Sequence, residues 1–290
     1  MTHPNEQPAA DLPLARPVAS PAAGEEPVVW EPVNQPLVMA REVPFLSPLL
    51  MSKREAWIDL VLLLSIMIGA FGAVIVLLDS GGWQPPIETQ IAVQAFGFGA
   101  LALAATHWRL RAHGQNPAVI GLGRDRALPA LGWGMLALLG CYVMNVVLVT
   151  GYVAIRGGAG MDHLMTEKTE VMSLVAQTPT LVVFPLTLFV GLYEEIVFRG
   201  LFLSRLKVIL GGNAWPVVVS SLVFGFFHLG QGPIGAMQAT VIGALFGVVA
   251  VYRRTIWSCI VAHAALDAVA FFLAPLLQYY LSNFNQNMPQ

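Results

Sequence analysis

Hydrophobic positions in this chain form long runs, without the alternation of a half-buried strand or the narrow stripe of a soluble helix. Seven runs stand out, at residues 57–78, 90–108, 129–155, 179–203, 214–229, 233–252 and 255–281. Most approach the ~20 residues that a helix needs to cross the hydrocarbon core of a bilayer. Inside that core every backbone N–H and C=O must be satisfied within the segment, so runs of this kind predict helices. The expected fold is all-α, a polytopic membrane helix bundle of about seven to eight transmembrane helices. The last run is long, and Pro275 predicts a break or kink in it. Between the third and fourth runs, residues 162–177 mix Leu164, Met165, Val171, Met172, Leu174 and Val175 with charged residues, which predicts an interfacial helix.

Residues 1–50 hold half of the 20 prolines and show neither periodicity, so they read as a disordered or extended Pro-rich tail. No basic start with an apolar core of the secretory type precedes residue 57. The chain then divides into N-terminal membrane helices with the interfacial helix (53–178), a late group of helices (179–281) and a short tail (282–290).

Composition agrees with the pattern. The chain is 56% hydrophobic and 11% charged, with a mean hydropathy of +0.68, against about 25% charged residues in a soluble domain. A net charge of -2 identifies no partner, and there is no Gly-rich phosphate loop or basic nucleic-acid patch. Cys141 and Cys259 both fall in apolar runs and form no disulfide framework.

Lys and Arg sort by loop. Lys53 and Arg54 precede the first run, Arg109, Arg111, Arg124 and Arg126 lie between the second and third, Arg205 and Lys207 follow the fourth, and Arg253 and Arg254 follow the sixth. The loops after the first and fifth runs have none. By the positive-inside rule the N-terminus is cytoplasmic and the C-terminus lies outside. Gly235, Ala239, Gly243 and Gly247 recur every four residues on the sixth run and predict a close helix contact within the bundle.

Against this apolar background the ionisable residues stand out, because each costs roughly 2.5 to 3.5 kcal/mol on insertion scales. Asp59 is expected to reach the interface as a structural group, and His107 to sit at a membrane boundary without a site role. The fourth run carries Glu194, Glu195 and Arg199. On a helix Glu195 and Arg199 are four apart and pair, which leaves Glu194 over. A buried carboxylate without a partner takes a proton or finds a partner on another helix. The fifth run offers His228, one turn after Phe224, whose ring can pack against the imidazole, with Gly225 leaving room beside it. The seventh run offers His263 and Asp267, four apart on one face. Asp267 can hold a ring N–H of His263 or, protonated, donate itself.

Glu194-Glu195-x-x-x-Arg199, then Phe224-x-x-x-His228, then His263-x-x-x-Asp267 resembles the motif set of the CAAX prenyl protease and bacteriocin-processing (CPBP, or Abi) family of intramembrane glutamate proteases. Gly121-Leu122-Gly123 also resembles a loop upstream of that core. The resemblance implies a membrane-embedded hydrolase, an endopeptidase that uses no metal and no cofactor. Its substrate would be a peptide or lipidated protein in the membrane, with the lipid bilayer as its surroundings, and its place an integral position in the bacterial inner membrane. Glu194 would be the general base, taking a proton from a water that His228 helps to hold. His263 and Asp267 would donate to the oxyanion, with Glu195, Arg199 and Phe224 in support. Asp267 stands where the family often has Asn, and an aspartate donates only when protonated.

Three other readings use the same residues. Two Glu and two His suit a zinc or di-iron centre in kind, though neither two His four apart nor Glu-x-x-His occurs. Cys259, His263 and Asp267 share a face, as a cysteine mechanism would need. A non-enzymatic scaffold, or a transporter with a buried Glu/His proton site, needs only their burial. Oligomeric state is open. Depth counting at about 1.5 Å per residue places Glu194 about 13 Å, His263 about 12 Å and His228 about 21 Å from the cytoplasmic side. Straight helices would hold Glu194 and His228 about 8 Å apart, so the short fifth helix is expected to tilt or to start at another depth.

Overall fold

A computed structural model describes residue 45 and residues 51–80, 89, 93–160, 163–164 and 180–287. Among these are eight α-helices and no strand. Helix α1 spans Lys53–Ser80. A π-helical turn, Val93–Phe98, leads into α2, Gly99–Ala112, and α3 spans Ala127–Arg156. Helix α4, Thr180–Glu194, passes through a π-helical segment, Glu195–Phe202, into α5, Leu203–Leu210. The remaining helices are α6 (Ala214–Phe227), α7 (Gly232–Arg253) and α8 (Trp257–Asn287).

Among the described residues, each of the seven apolar runs is helical over most of its length, and two differ from expectation at their ends. The fourth continues to Leu210. The seventh is not broken at Pro275 and runs on past the point where a tail was expected. The tail over 1–50 and the interfacial helix over 162–177 lie outside the described residues, apart from Phe45, His163 and Leu164. Phe45 is buried, with its ring against Gly121.

Among the described residues, Lys53–Val74, Ala127–Arg156 and Leu229–Arg253 are long and apolar enough to cross a membrane, while Ala214–Phe227 and Trp257–Leu273 are apolar but shorter. On α3, Leu131, Leu136, Leu139, Val143 and Val146 are exposed. An apolar face of that extent suits lipid and not water.

Helix α6 packs on α7, α8 on α3 and α4, and α1 on α2 and α5. The close approaches occur where side chains are missing. A Cβ on Gly247 would meet Val217, and one on Gly243 would meet Arg199 and Phe224, so the small-residue stripe is a contact inside the bundle. Gly225, expected to make room beside His228, instead admits Thr240 and the Ala236 carbonyl of α7.

One end of the bundle is tied by buried charge. Asp59, expected as a structural group, is fully buried. Arg205 Nε donates to its Oδ2 at 2.8 Å and Arg109 Nε to its Oδ1 at 2.6 Å, with His113 Nε2 3.0 Å from Oδ1. Arg205 Nη2 also donates to Gln115 Oε1 at 2.6 Å. This network joins α1, α2 and α5. Nearby, the Gly121 loop docks on the α7–α8 turn. Its carbonyl accepts from Thr255 Oγ1 and Ile256 N, and Gly123 O accepts from Trp257 Nε1 at 2.9 Å. Gly121 has φ +85, and a Cβ there would press on Ile256 at 2.9 Å, so glycine is required twice over. The loop that carried part of the resemblance is thus a clasp near the start of α8.

Candidate active site

The site forms where α4 crosses α8. Gly191 lies against the backbone of Ala264, and a Cβ on Gly191 would stand 2.8 Å from Ala264 N. This approach puts the carboxylates at the end of α4 beside His263. The chain widens here into the π segment, whose eight residues are all buried. π geometry often marks functional sites, because i→i+5 bonding re-aims side chains within a continuous helix.

Glu195 and Arg199 pair as their spacing predicts, with Arg199 Nη1 donating to Glu195 Oε1 at 2.9 Å and both side chains almost fully buried. The same Oε1 receives His263 Nδ1 at 2.7 Å. A carboxylate oxygen accepts, so Nδ1 carries a proton. Of the two roles that the sequence left open for Asp267, holding this ring N–H falls to Glu195 instead. The guanidinium of Arg199 lies 4.1 Å from the Phe224 ring centroid and 5.5 Å from that of Phe246. Two aromatic faces thus add cation–π attraction to the ion pair. Glycine at 243 lets the stack close, since a Cβ there would stand 3.1 Å from Arg199 Nη2.

Once Nδ1 is committed to Glu195, His263 Nε2 faces Glu194 Oε2 at 3.6 Å and Asp267 Oδ2 at 3.7 Å. Both separations exceed a hydrogen bond. A neutral imidazole with its proton on Nδ1 presents a lone pair at Nε2. For Nε2 to donate, the ring must be an imidazolium.

Glu194 differs from its neighbour in lining a cavity. Its Oε1 accepts from Tyr193 Oη at 3.0 Å, while Oε2, like Oε2 of Glu195, is buried without a hydrogen-bond partner. The cavity, of about 280 Å³, is lined by Glu194 together with His228, Tyr193, Gln231, Phe198 and Phe227, and on the other side by Met67 and Phe71 of α1 and Phe98.

His228 reaches that cavity because α6 ends at Phe227, leaving His228 as the C-cap residue with φ -98 and ψ 7. The depth conflict raised by straight, equal helices disappears in a helix of 14 residues. His228 Nδ1 lies 2.8 Å from the Phe224 carbonyl. A carbonyl only accepts, so Nδ1 donates, and Nε2 is left as the acceptor. The Phe224 and His228 rings stack as expected, with centroids 4.4 Å apart. Phe224 also meets His263 edge-on at 6.1 Å, so one phenylalanine touches Arg199 and both histidines.

The structure therefore brings Glu194, Glu195, Arg199, Phe224, His228, His263 and Asp267 together. Cys259 is fully buried, with Sγ 3.3 Å from the Phe246 carbonyl and no place in the cavity lining. Among the described residues, no group of three or more His, Cys, Asp or Glu has the arrangement of a metal site. Four contributors were not read from the sequence: Tyr193, Gly191, Gly243 and Phe246. Of these only Gly243 carried a signal, the stripe on α7.

Residues 176–269 match the family model described as type II CAAX prenyl endopeptidase, Rce1-like. The match covers about a third of the chain and contains Glu194, Glu195, Arg199, Phe224, His228, His263 and Asp267. It agrees with the resemblance that the three motifs carry, and the family is one of membrane proteases. The chain finds no match among curated proteins or solved structures.

Proposed function

We propose that this chain is a membrane-embedded, metal-independent endopeptidase of the CAAX protease-like type, hydrolysing a peptide bond in a membrane-associated or lipidated substrate. The observation that carries the reading is that Glu194 and His228 line one cavity. A water there donates one hydrogen to Glu194 and the other to His228 Nε2, leaving an oxygen lone pair directed at a substrate carbonyl. Glu194 takes the proton as the C–O bond forms. It returns that proton to the leaving amine as the C–N bond breaks, so the carboxylate is regenerated.

The oxyanion falls to His263 Nε2–H and a protonated Asp267. With Glu194 and Glu195 ionised against the cations Arg199 and His263, and Asp267 neutral, the buried site carries no net charge. Preorganised donors of this kind contribute about 3 to 4 kcal/mol each to the barrier. The same reading takes the seven helical runs as spans, with the N-terminus cytoplasmic and the protein in the bacterial inner membrane. Its substrates then reach the cavity from within the bilayer.

Purified full-length protein in bilayers, offered a library of lipidated and unmodified membrane peptides, is expected to release products with a new C-terminus, undiminished by chelator. Absence of any product by mass spectrometry, or loss of product in chelator, would count against the proposal.

Asp267→Asn keeps a neutral donor at the same place and leaves the charge balance intact. Its kcat/KM is expected to stay within about tenfold of wild type, less than the loss of one whole oxyanion donor. Total loss of turnover would show that the charge on Asp267 is needed.

A further inference from the structure

Adjacent residues on a helix point about 100° apart, and their side chains do not ordinarily face one another. Tyr193 and Glu194 are an exception, because Tyr193 Oη donates to Glu194 Oε1 at 3.0 Å. The cause lies on α2. The Tyr193 ring is buried, edge-on to Phe98 at 6.1 Å and against Phe189 at 5.6 Å. It fits only because residue 99 is glycine, since a Cβ there would stand 2.6 Å from both the Tyr193 and Phe189 rings. A buried phenol needs a hydrogen-bond partner, and the clamped ring delivers its hydroxyl to the neighbouring carboxylate.

We propose that Tyr193 is a positioning residue for Glu194, holding one carboxylate oxygen so that the other is aimed toward His263 and the side chain is fixed at the cavity. The assignment of a catalytic purpose rests on the peptidase reading above; the Tyr193–Glu194 bond itself does not. Oε1 is occupied, and Oε2 is the buried atom without a partner. The other titratable groups facing Glu194 are Glu195 on its own element, His263 and Asp267 on α8 and His228 across the cavity. From α1 and the π turn, Met67, Phe71, Val74, Ala95 and Phe98 line the cavity without charge.

Tyr193→Phe deletes only the hydroxyl. A carbodiimide activates carboxyls, so its labelling of Glu194 at one fixed pH, followed by mass spectrometry, reads the surroundings of that group whether or not the protein turns over. In Tyr193→Phe the labelling rate is expected to change by about tenfold, as fits loss of a hydrogen bond to a carboxylate. With a cleavable membrane peptide, kcat is expected to fall about tenfold with KM unchanged. Labelling and kcat both equal to wild type would overturn the proposal while leaving the peptidase reading in place. An altered labelling rate in a protein whose wild type cleaves nothing would uphold the positioning of Glu194 and overturn the peptidase reading instead.

Discussion

Arg199→Ala is expected to cost the protein its fold before any chemistry is lost. Arg199 is the cation paired with Glu195, at 2.9 Å, and it fills the gap between Phe224 and Phe246 beside Gly243. Truncation leaves a fully buried carboxylate with one charged partner fewer and a void at the crossing of α4, α7 and α8. Removing one member of a buried pair typically costs about 3 to 5 kcal/mol, a large share of the stability of most proteins. The thermal midpoint is expected to fall by roughly 10 °C or more, measured in the same detergent as wild type. Arg199→Lys keeps the charge but lacks the planar group that stacks on two rings, so an intermediate loss is expected. An unchanged midpoint in Arg199→Ala would mean that Glu195 is not held as described.

Much of this arrangement was legible in the chain. The apolar runs became the helices, since length and composition decide that much. The Glu195–Arg199 pair follows from a spacing of four on one helix, and the Phe224–His228 stack from the same rule. What could not be read were the contacts between helices. That His263 donates to Glu195, across 68 residues of sequence, depends on Gly191 meeting Ala264, and one glycine in an apolar run announces no particular partner. The partners of Asp59 were hidden for a related reason. Hydropathy reports the cost of burying a carboxylate and not the three basic groups that gather round it from α2, the loop after it and α5.

The depth of His228 rested on a short fifth helix that tilts or starts at another depth. Helix α6 is short, with 14 residues, and ends just before the histidine. Tyr193 gave no periodic signal, because its bond to Glu194 runs against helical spacing and is imposed by α2.

Both carboxylates belong to one motif, yet their surroundings divide them. Glu195 is held by Arg199 and His263 through one oxygen and lies outside the cavity lining. Glu194 is capped by Tyr193 through one oxygen, and its carboxylate opens on the cavity with His228. Substituting the first should therefore disturb structure, and the second chemistry. Glu194→Gln preserves volume and can still accept from Tyr193, but it cannot take a proton from water. Loss of a general base typically lowers turnover by about 10²- to 10⁴-fold, and no ion pair with Arg199 is broken on the way.

The decisive measurement is the turnover of a membrane peptide by wild type and Glu194→Gln, both purified in chelator, with thermal midpoints recorded alongside. A base at Glu194 in a metal-independent peptidase predicts undiminished wild-type activity in chelator, a Glu194→Gln rate lower by about two to four orders of magnitude, and equal midpoints. Wild-type turnover in Glu194→Gln, or wild-type activity that vanishes in chelator, would contradict it.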